Sequence, residues 1–423
     1  MSCKIEKSKL SGKIVCPANK SYTHRAIMLA SLAKGKSVIK NVLNSSDINA
    51  TINSCKSFGA QITETENDLT IRGITEFKVH DSMIDAMNSG TTIRIAAAIA
   101  SLSAGKTTLS GDDSLQKRPM QPLLDALESI GAKCSSTNGK PPITVTGIAK
   151  GGNVNIPGNI SSQFVTALMI IAPLTEKGLV LSIEGDLVSK PYLDATINIM
   201  KKFSAKIDTI VPYKKYQIFP QDYKSATLTI PSDFSSMGLL LSAAVLLGDE
   251  LTFEMMKEDL PQGDEKIIDI LKILGVDVIV DKNTISVKSP QKLKGGKFDL
   301  NNTPDLLPPL AILALKTANP IEIYNVKHAR YKETDRIAVL ARELKKLGVK
   351  VKEKEDGLIL EASDKLKSAE LNSENDHRLF MAFCIAGMYI GDCSVTNPES
   401  IEISYPNFIS DMNKVGGKIK FNL

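Results

Sequence analysis

One pattern of apolar and polar positions repeats six times along the chain. In each copy, an amphipathic helical segment ends at a small residue, and alternating polar and apolar positions typical of a half-buried strand follow it. Glycine at such a point suits the left-handed backbone that ends many helices. The small residues lie 68 to 73 positions apart; they are Gly59, Gly131, Ser204, Gly275, Gly348 and Gly416.

A second class of helical segment repeats in the same phase. Each copy begins with polar residues that can cap the first backbone N–H groups and continues with small, mostly apolar residues, which predicts buried helices. Because two signals repeat in register, chance similarity between unrelated helices is a poor explanation. The six starts read NKSYTHRAIMLA, NSGTTIRIAAAIA, NISSQFVTALMIIA, SDFSSMGLLLSAAV, TPDLLPPLAILAL and ENDHRLFMAFCIAG.

Each repeat predicts two helices and about four short strands, so we expect an α+β protein with three repeats in each of two domains. A chain of 423 residues also exceeds the size at which one core keeps growing. The chain ends just after the strand of the sixth repeat, so we expect an extra strand around residues 4–14 to complete the C-terminal domain. The predicted domains are residues 1–18 with 231–423, and residues 19–230. Two chain crossings would join them as a hinge.

Composition is that of an ordinary globular protein, with 43% hydrophobic and 23% charged residues. No apolar run reaches about 18 residues and no signal or transit pattern opens the chain, so we expect a cytoplasmic protein without a membrane partner. Six cysteines without a CxxC pair and four histidines predict neither a disulfide framework nor a metal site. The net charge of +5 is too small to indicate nucleic acid, and it fits a small anionic substrate.

Several basic residues fall at or near the starts of predicted helices, where free N–H groups and the helix dipole favour phosphate and carboxylate. The dipole contributes about 0.3–1 kcal/mol to an exposed anion. A charge-assisted hydrogen bond contributes about 1.5–3 kcal/mol, so the side chains should dominate affinity. An isolated Lys or Arg is usually a solvated surface charge, but equivalent positions in several repeats favour an anion site. These residues are Lys20, Arg25, Arg94, Arg118, Lys332, Arg336 and Arg378.

Seven short motifs resemble, in the same order, those of the 5-enolpyruvylshikimate-3-phosphate synthases, members of the enolpyruvyl transferase family. They are PANKSYTHRA at 17–26, NSGTTIR at 88–94, SSQF at 161–164, SKPY at 189–192, PD at 304–305, KETDR at 332–336 and NDHR at 375–378. The resemblance spans the chain, and the combination of KSxxHRA, NxGTxxR and KETDR is specific. It implies a two-domain inside-out α/β barrel.

The resemblance also implies an activity and a set of site residues. The enzymes of this family join phosphoenolpyruvate to the 5-hydroxyl of shikimate 3-phosphate, in aromatic amino acid biosynthesis, without a cofactor. Asp305 would accept the hydroxyl proton, while Glu333 and Lys20 would transfer protons at the methylene carbon. The implied shikimate 3-phosphate ligands are Lys20, Ser21, Arg25, Ser161, Ser162, Gln163, Ser189, Asp305 and Lys332. The implied phosphoenolpyruvate ligands are Lys20, Gly90, Arg118, Gln163, Arg336 and Arg378.

Taken without the resemblance, several of these residues have simpler interpretations. Ser161, Ser162 and Asp305 could act simply as helix caps. Gly90 could serve a tight turn, and Glu333 could favour the helix dipole. His24 and His377 fit structural roles better than catalytic ones.

Three positions depart from the family pattern. Ile403 stands where many members carry a Lys that contacts phosphoenolpyruvate, so that contact is not expected here. His328 replaces a common Asn that touches shikimate 3-phosphate, and Ile95 follows Arg94 where Pro is frequent. The response to glyphosate is therefore left open, although Gly90 is retained.

Two other functions are weighed. Enzymes that transfer enolpyruvate to UDP-N-acetylglucosamine typically carry a Cys before their Arg-Pro pair, and here the loop GDDSLQKRP has Asp113 at the matching offset. A non-catalytic protein that binds RNA or another anion would need basic stripes with interleaved aromatic residues, but aromatics make up 5% of the chain and Trp is absent. We expect a monomeric enzyme.

Overall fold

The computed structural model describes residues 1–77 and 83–422. Its backbone contacts divide the chain into two compact units. Unit 1 comprises Met1–Pro17, Ser232–Lys257 and Gln262–Leu423, and unit 2 comprises Ala18–Pro231 with Glu258–Pro261. Each unit contains its own cluster of buried apolar side chains.

Twelve α-helices lie in the described part of the chain, six in each unit. Those of unit 2 are α1 (Lys20–Leu32), α2 (Ser46–Phe58), α3 (Gly90–Ala100), α4 (Gln121–Ser129), α5 (Ser162–Ile171) and α6 (Lys190–Lys202). Those of unit 1 are α7 (Phe234–Leu247), α8 (Ile267–Ile273), α9 (Leu307–Leu313), α10 (Arg336–Lys346), α11 (His377–Ile390) and α12 (Phe408–Lys414).

The strands are short, with two to seven residues each. The first twelve are β1 (Ser2–Ile5), β2 (Leu10–Val15), β3 (Lys36–Lys40), β4 (Gln61–Glu64), β5 (Leu69–Arg72), β6 (Ile84–Asp85), β7 (Lys106–Ser110), β8 (Lys133–Thr137), β9 (Lys140–Thr146), β10 (Gly152–Pro157), β11 (Leu179–Glu184) and β12 (Ile207–Val211). The others are β13 (Lys215–Ile218), β14 (Thr227–Thr229), β15 (Gly248–Glu254), β16 (Asp277–Val280), β17 (Thr284–Lys288), β18 (Gly296–Asp299), β19 (Ile321–Tyr324), β20 (Lys350–Lys354), β21 (Gly357–Glu361), β22 (Glu370–Leu371), β23 (Cys393–Thr396) and β24 (Ile419–Asn422).

The strands form six four-stranded sheets with one shared plan, a parallel pair combined with two antiparallel pairs. In unit 2 the strand orders are β14-β3-β5-β4, β6-β7-β9-β8 and β10-β11-β13-β12. In unit 1 they are β16-β17-β15-β2, β18-β19-β21-β20 and β22-β23-β1-β24. Each unit therefore has three sheets and six helices, as the sixfold repeat predicts. The N-terminal segment, expected as one strand, forms two strands that pair in different sheets.

The helices with small apolar residues are buried, as predicted. All fourteen residues of α7 are buried, as are ten of the eleven of α3. Polar side chains at the expected starts accept hydrogen bonds from the first turns, which satisfies N–H groups that would otherwise be buried without partners. These caps are Asn19 on α1, Ser89 on α3, Ser161 on α5, Asp233 on α7 and Asp376 on α11.

Candidate active site

The first buried helix of unit 2 begins with an ion pair. Asn19 Oδ1 accepts a hydrogen bond from Tyr22 N at 2.8 Å, so that Lys20 is the first helical residue. Lys20 Nζ donates to Asp47 Oδ2 at 3.1 Å, and their side chains are 14% and 6% exposed. The contact fixes one of the three ammonium N–H groups. It leaves Lys20 with capacity to bind an anionic ligand.

Arg25 carries a buried positive charge one turn further along α1. Its guanidinium donates to Thr196 Oγ1 at 2.8 Å, to Ser21 O at 2.9 Å and to Tyr192 O at 3.3 Å. Within residues 1–77 and 83–422, no carboxylate lies within 4 Å of its guanidinium nitrogens, and burial lowers the pKa of Arg25 to about 10. A buried cation with only neutral partners favours a nearby anion. At 1% exposure, however, Arg25 offers a ligand almost no surface in this state.

A second group of unit 2 surrounds the start of α3. Arg118 Nη2 donates to Asn88 Oδ1 at 2.9 Å and to Ser114 Oγ at 3.1 Å. Gln163 joins this group because its Oε1 accepts from Arg94 and its Nε2 donates to Thr91 Oγ1 at 3.0 Å. The Arg94 guanidinium also lies 5.1 Å from the centre of the Phe164 ring.

Gly90 lies between the two arginines. A methyl group added at Gly90 would lie 3.1 Å from Arg118 Nη1 and 3.2 Å from Arg94 Nη1. The absence of a side chain therefore leaves room for both guanidinium groups beside the first turn of α3. The fold brings together Gly90, Arg118 and Gln163, three of the predicted phosphoenolpyruvate ligands.

The predicted serines lie at the starts of α5 and α6. Ser161 caps α5, with its Oγ accepting from Gln163 N at 3.3 Å, and Ser162 is the first helical residue. Ser189 precedes α6 with a left-handed backbone, φ 56° and ψ 44°, and makes no capping bond. This conformation costs a non-glycine residue about 1–2 kcal/mol, and such strain is frequent at functional sites. Ser161 is therefore a helix cap, as the simpler interpretation has it, and a substrate contact of Ser189 stays a prediction.

In unit 1, three cations converge on Asp305, which lies in the 3-10 turn Pro304–Leu306. Arg336 Nη1 donates to Asp305 Oδ1 at 2.8 Å, and Arg378 Nη2 lies 3.2 Å from Oδ2. Lys332 Nζ lies 3.6 Å from Oδ1. The fold therefore gathers three predicted site residues from the KETDR and NDHR motifs around the predicted carboxylate of the PD motif.

Arg336 lies at the centre of this network. Besides its bond to Asp305, it donates to Asp376 Oδ2 and to Glu333 Oε2, each at 2.7 Å. Burial disfavours its charge, but Asp376, Glu333 and Asp305 outweigh this effect and raise the pKa of Arg336. Because Arg336 is 1% exposed and three carboxylates engage its donors, it orders the cluster in this state. A contact between Arg336 and phosphoenolpyruvate stays a prediction.

Two further titratable groups lie near Asp305. The hydroxyl of Ser235 donates to the buried Asp264, and burial together with the Asp305 charge raises the pKa of Asp264 to about 7. Burial and Lys332 lower the pKa of His328 to about 4, although Asp305 opposes this shift. Near neutral pH, His328 is therefore almost entirely uncharged and Asp264 is protonated in a substantial fraction of the molecules. The two groups add little charge to the cluster.

The charge balance differs between the two clusters. In unit 2, Lys20 pairs with Asp47, whereas the hydrogen bonds given above for Arg25 and Arg118 go to uncharged oxygen atoms. In unit 1, the cations Lys332, Arg336 and Arg378 are matched by the ionisable carboxyl groups of Asp305, Glu333 and Asp376. Arg25 and Arg118 of unit 2 are therefore less engaged by carboxylates than the three cations of unit 1, which favours their binding of a phosphorylated substrate.

Three carboxyl groups of these clusters are missing from the sequence-based assignment, and Arg94, which was expected at an anion site, has no place among the implied ligands of either substrate. Asp376 lies inside the NDHR motif, so its position two residues before Arg378 was an available signal. Asp47 and Asp264 belong to none of the motifs. Asp47 meets Lys20 through the packing of α2 on α1, which no local pattern reveals.

Solved structures share this fold. EPSP synthase from Acinetobacter baumannii superposes with a TM-score of 0.83 at 25% sequence identity, and all of both chains are covered. The enolpyruvyl transferase NikO from Streptomyces tendae superposes with a TM-score of 0.79 at 17% identity, over 99% of this chain and 98% of that one. The protein therefore has the enolpyruvyl transferase fold, as the sequence predicts.

Sequence comparison defines the family. A profile of the EPSP synthase (3-phosphoshikimate 1-carboxyvinyltransferase) family matches residues 5–412. The 3-phosphoshikimate 1-carboxyvinyltransferase of Nitrosopumilus maritimus is 63% identical over 99% of this chain and 100% of its own. That of Methanosarcina acetivorans is 44% identical over 99% of both chains. The chain belongs to the EPSP synthase family. Among its described helices, none has the length and apolar character needed to span a membrane.

Proposed function

We propose that this protein transfers the enolpyruvyl group of phosphoenolpyruvate to the 5-hydroxyl of shikimate 3-phosphate. The products are 5-enolpyruvylshikimate 3-phosphate, a precursor in aromatic amino acid biosynthesis, and inorganic phosphate. The observation that carries this proposal is the family match over residues 5–412. The matched family does not support the alternative acceptor UDP-N-acetylglucosamine.

Shikimate 3-phosphate is assigned chiefly to unit 2. The buried Arg25, whose hydrogen bonds go to uncharged oxygen atoms, suits a phosphate dianion, and the starts of α1, α5 and α6 provide polar groups around it. The proposed ligands are Lys20, Ser21, Arg25, Ser161, Ser162, Gln163 and Ser189, with Asp305 and Lys332 from unit 1.

Phosphoenolpyruvate is assigned to Gly90, Arg118 and Gln163, supported by their proximity at the start of α3. Lys20 would contact both substrates. Arg336 and Arg378 of unit 1 would complete the ligand set, which requires Asp305 and Glu333 to share these arginines with the substrate.

The proposed chemistry is an addition followed by an elimination. Asp305 accepts the proton of the 5-hydroxyl as its oxygen attacks C2 of phosphoenolpyruvate, and Lys20 or Glu333 supplies a proton to C3. A proton is then lost from C3 and phosphate leaves C2, which restores the carbon–carbon double bond. Lys and Arg side chains stabilise the charge on the leaving phosphate. Glu333 and Lys20 remain alternative partners for the C3 proton.

The reaction needs groups from both units, so we also propose that the units act as two domains, residues 1–18 with 231–423 and residues 19–230. Short connections between two separate cores would permit them to close on the substrates, which excludes water from the reacting groups. A cytoplasmic, monomeric enzyme is part of the same proposal.

Phosphate release, measured with each substrate alone and with both, tests the function. We expect turnover only with both substrates, none when UDP-N-acetylglucosamine replaces shikimate 3-phosphate, and no tight RNA binding. Asp305→Asn should lower kcat by about 10²–10⁴-fold, because a general base typically contributes that much. Affinity for shikimate 3-phosphate alone should change little. Asp281→Asn, which alters an exposed carboxylate of unit 1, is the matched control. Wild-type turnover by Asp305→Asn would contradict the assigned base.

Arg118 tests the phosphoenolpyruvate assignment. Arg118→Ala should raise KM for phosphoenolpyruvate about 10- to 150-fold, which corresponds to the loss of one charge-assisted hydrogen bond of about 1.5–3 kcal/mol. KM for shikimate 3-phosphate should rise much less. Lys117→Ala removes an exposed cation at the adjacent position and should affect neither. Equal increases for both substrates in Arg118→Ala would refute the assignment.

A further inference from the structure

A buried chain of polar contacts in unit 2, most of them hydrogen bonds, connects the two groups of predicted ligands. At one end, Lys20 Nζ donates to Asp47 Oδ2, which lies 4.0 Å from Nε2 of the fully buried His24. The other ring nitrogen, His24 Nδ1, lies 2.6 Å from Thr51 Oγ1. The motif KSYTHR therefore contains a histidine that the proposed chemistry does not use.

From Thr51 the chain continues into α3. Thr51 Oγ1 lies 2.7 Å from Thr92 Oγ1, and the Thr92 hydroxyl donates to Ser89 Oγ at 2.7 Å. Ser89 Oγ also accepts from Thr92 N at 3.2 Å and so caps α3. The helix that it caps begins at Gly90, beside the arginine groups described above.

The donation from Thr92 to Ser89 sets one direction for the whole chain, because each hydroxyl has one proton. A hydroxyl has one proton to donate, and that of Thr92 goes to Ser89. With that direction, Thr92 accepts from Thr51, and Thr51, having used its own proton, accepts from His24 Nδ1. The imidazole then carries its hydrogen on Nδ1, whereas the reverse direction, from Ser89 through Thr92 and Thr51 to Nδ1, would place the hydrogen on Nε2.

The surroundings of His24 keep the ring neutral. Burial, followed by the charges of Lys20 and Arg25, lowers the pKa of His24 well below its usual value. Asp47 is the carboxylate that faces it, and Lys20 already engages that carboxylate. A neutral ring with Nδ1–H has a lone pair on Nε2, so His24 holds a fixed orientation rather than donating a proton to substrate.

We propose that His24 is a positioning residue that couples the Lys20–Asp47 pair to the Ser89 cap of α3 through Thr51 and Thr92. Because Lys20 is assigned to both substrates and Gly90 to phosphoenolpyruvate, the chain makes the α3 site depend on the state of Lys20. The identity of the two ligands rests on the proposed function, whereas the hydrogen-bond chain does not.

Two substitutions at His24 separate the two ring nitrogens. In His24→Asn, the side-chain amide can place an N–H near the position of Nδ1 and retain the bond to Thr51. In His24→Gln, the polar atoms extend toward the position of Nε2, and the bond to Thr51 is lost. Thr51→Val removes the central hydroxyl at similar volume, and Thr51→Ser retains it.

We expect His24→Gln and Thr51→Val each to raise KM for phosphoenolpyruvate about 10-fold, equivalent to about 1.4 kcal/mol. The double variant should be no worse than either single variant, because both changes break the same chain. His24→Asn and Thr51→Ser should stay within about twofold of wild type. Independent, multiplicative effects in the double variant would overturn the proposal. KM changes that merely follow the melting temperatures of the variants would also overturn it, since they would indicate a packing role.

A second measurement tests the chain without any substrate. Nitrogen-15 spectra of the imidazoles, with the His24 signals assigned by their loss in His24→Asn, should show a protonated Nδ1 and an unprotonated Nε2 in the free protein at neutral pH. The opposite tautomer, or an imidazolium, would overturn the assigned direction. If phosphate release fails with both substrates while this tautomer is observed, the proposed function fails and the hydrogen-bond chain stands.

Discussion

Two arginine side chains lie so close to Gly90 that a single methyl group would disturb them. The nearest atoms to an added Cβ are Nη1 of Arg118 at 3.1 Å and Nη1 of Arg94 at 3.2 Å, distances tighter than ordinary van der Waals contact. Both atoms are at the ends of flexible side chains, so the protein can accommodate the methyl by moving the guanidinium groups. The fold should survive, and the anion site should change.

We therefore predict that Gly90→Ala raises KM for phosphoenolpyruvate by about 5- to 30-fold, which corresponds to about 1–2 kcal/mol. KM for shikimate 3-phosphate and the melting temperature should remain close to wild type. Steady-state kinetics with each substrate varied, together with thermal denaturation, check this outcome. A melting temperature lowered by many degrees would show that the methyl disturbs the packing of α3 instead.

His328 makes stability depend on pH. Its pKa is lowered to about 4 by burial and Lys332, against about 6.5 in an unfolded chain. Above pH 6.5 both states are neutral at this residue. Between pH 6.5 and 4 the unfolded chain takes up a proton that the folded protein does not, so the free energy of unfolding falls as the pH falls. Below pH 4 the change is complete.

The prediction is a difference between wild type and His328→Asn. Over this pH window, wild type should lose about 3 kcal/mol more of its free energy of unfolding than the variant, which cannot titrate at this position. Effects of His24 and Asp264 are shared by both proteins and largely cancel. Urea denaturation at several pH values measures the difference. Parallel curves for the two proteins would contradict the depressed pKa.

Individual site residues were predictable where they belong to motifs. Lys20, Gly90 and Arg336 follow from short, specific patterns that also fix their places at helix starts. Their ionic partners were not predictable, because Asp47 and Asp376 meet Lys20 and Arg336 across 27 and 40 positions of sequence. Such contacts depend on how the helices pack, and the local periodicity of the sequence does not reveal that packing. The roles assigned to the individual ligands remain proposals.

At the level of elements, the small residue that ends a helix in every repeat has one conformation throughout. All six have positive φ, between 67° and 115°. Five are glycines, as the left-handed region favours, and the sixth is Ser204 at φ 67°. Ser204 is exposed, so its side chain is not required for packing. The repeat therefore contains one position where the residue conflicts with its backbone.

We predict that Ser204→Gly raises the free energy of unfolding by about 0.5–1 kcal/mol. The left-handed penalty of about 1–2 kcal/mol is removed, and the greater flexibility of glycine in the unfolded chain offsets part of it. Gly275→Ser is the matched reverse change, because its Cβ would meet only the Lys294 side chain at 3.4 Å or more. It should lower stability by about 1 kcal/mol. Denaturant titration checks both, and destabilisation by Ser204→Gly would contradict the argument.

Periodicity predicted the elements well where glycine or a polar cap marks an end, and less well where proline changes the geometry. The segment TPDLLPPLAILAL was expected to be one capped helix. In the structure a 3-10 turn, Pro304–Leu306, precedes α9, which begins at Leu307. Pro308 and Pro309 lack N–H groups and are tolerated in the first turn of a helix but not later. This irregular start is what presents Asp305 outside the regular helix.

For the whole molecule, the unequal charge balance of the two clusters suggests how binding proceeds. Arg25 and Arg118 of unit 2 donate hydrogen bonds to uncharged oxygen atoms, whereas Arg336 of unit 1 is paired with Asp305, Glu333 and Asp376. An anion gains more from unneutralised cations than from cations it must share with carboxylates. Shikimate 3-phosphate should therefore bind first and through unit 2, with the contacts to Asp305 and Lys332 made only when phosphoenolpyruvate is also present.

Hydrogen exchange followed by mass spectrometry tests this order. Shikimate 3-phosphate alone, at about 100 times its Kd, stabilises the state that binds it by about 2.7 kcal/mol. We expect slower exchange at the starts of α1, α5 and α6 and unchanged exchange around residues 304–306 and 332–336. Addition of phosphoenolpyruvate should extend protection to those unit 1 segments. The double variant Ser161→Ala, Ser162→Ala should lose most of the protection at α5, while Ser45→Ala, which removes the equivalent cap of α2, should retain it. Equal protection of both units by shikimate 3-phosphate alone would contradict this order. It would mean that the arginines of unit 1 release their carboxylates without phosphoenolpyruvate. Local charge balance would then not set the order of binding.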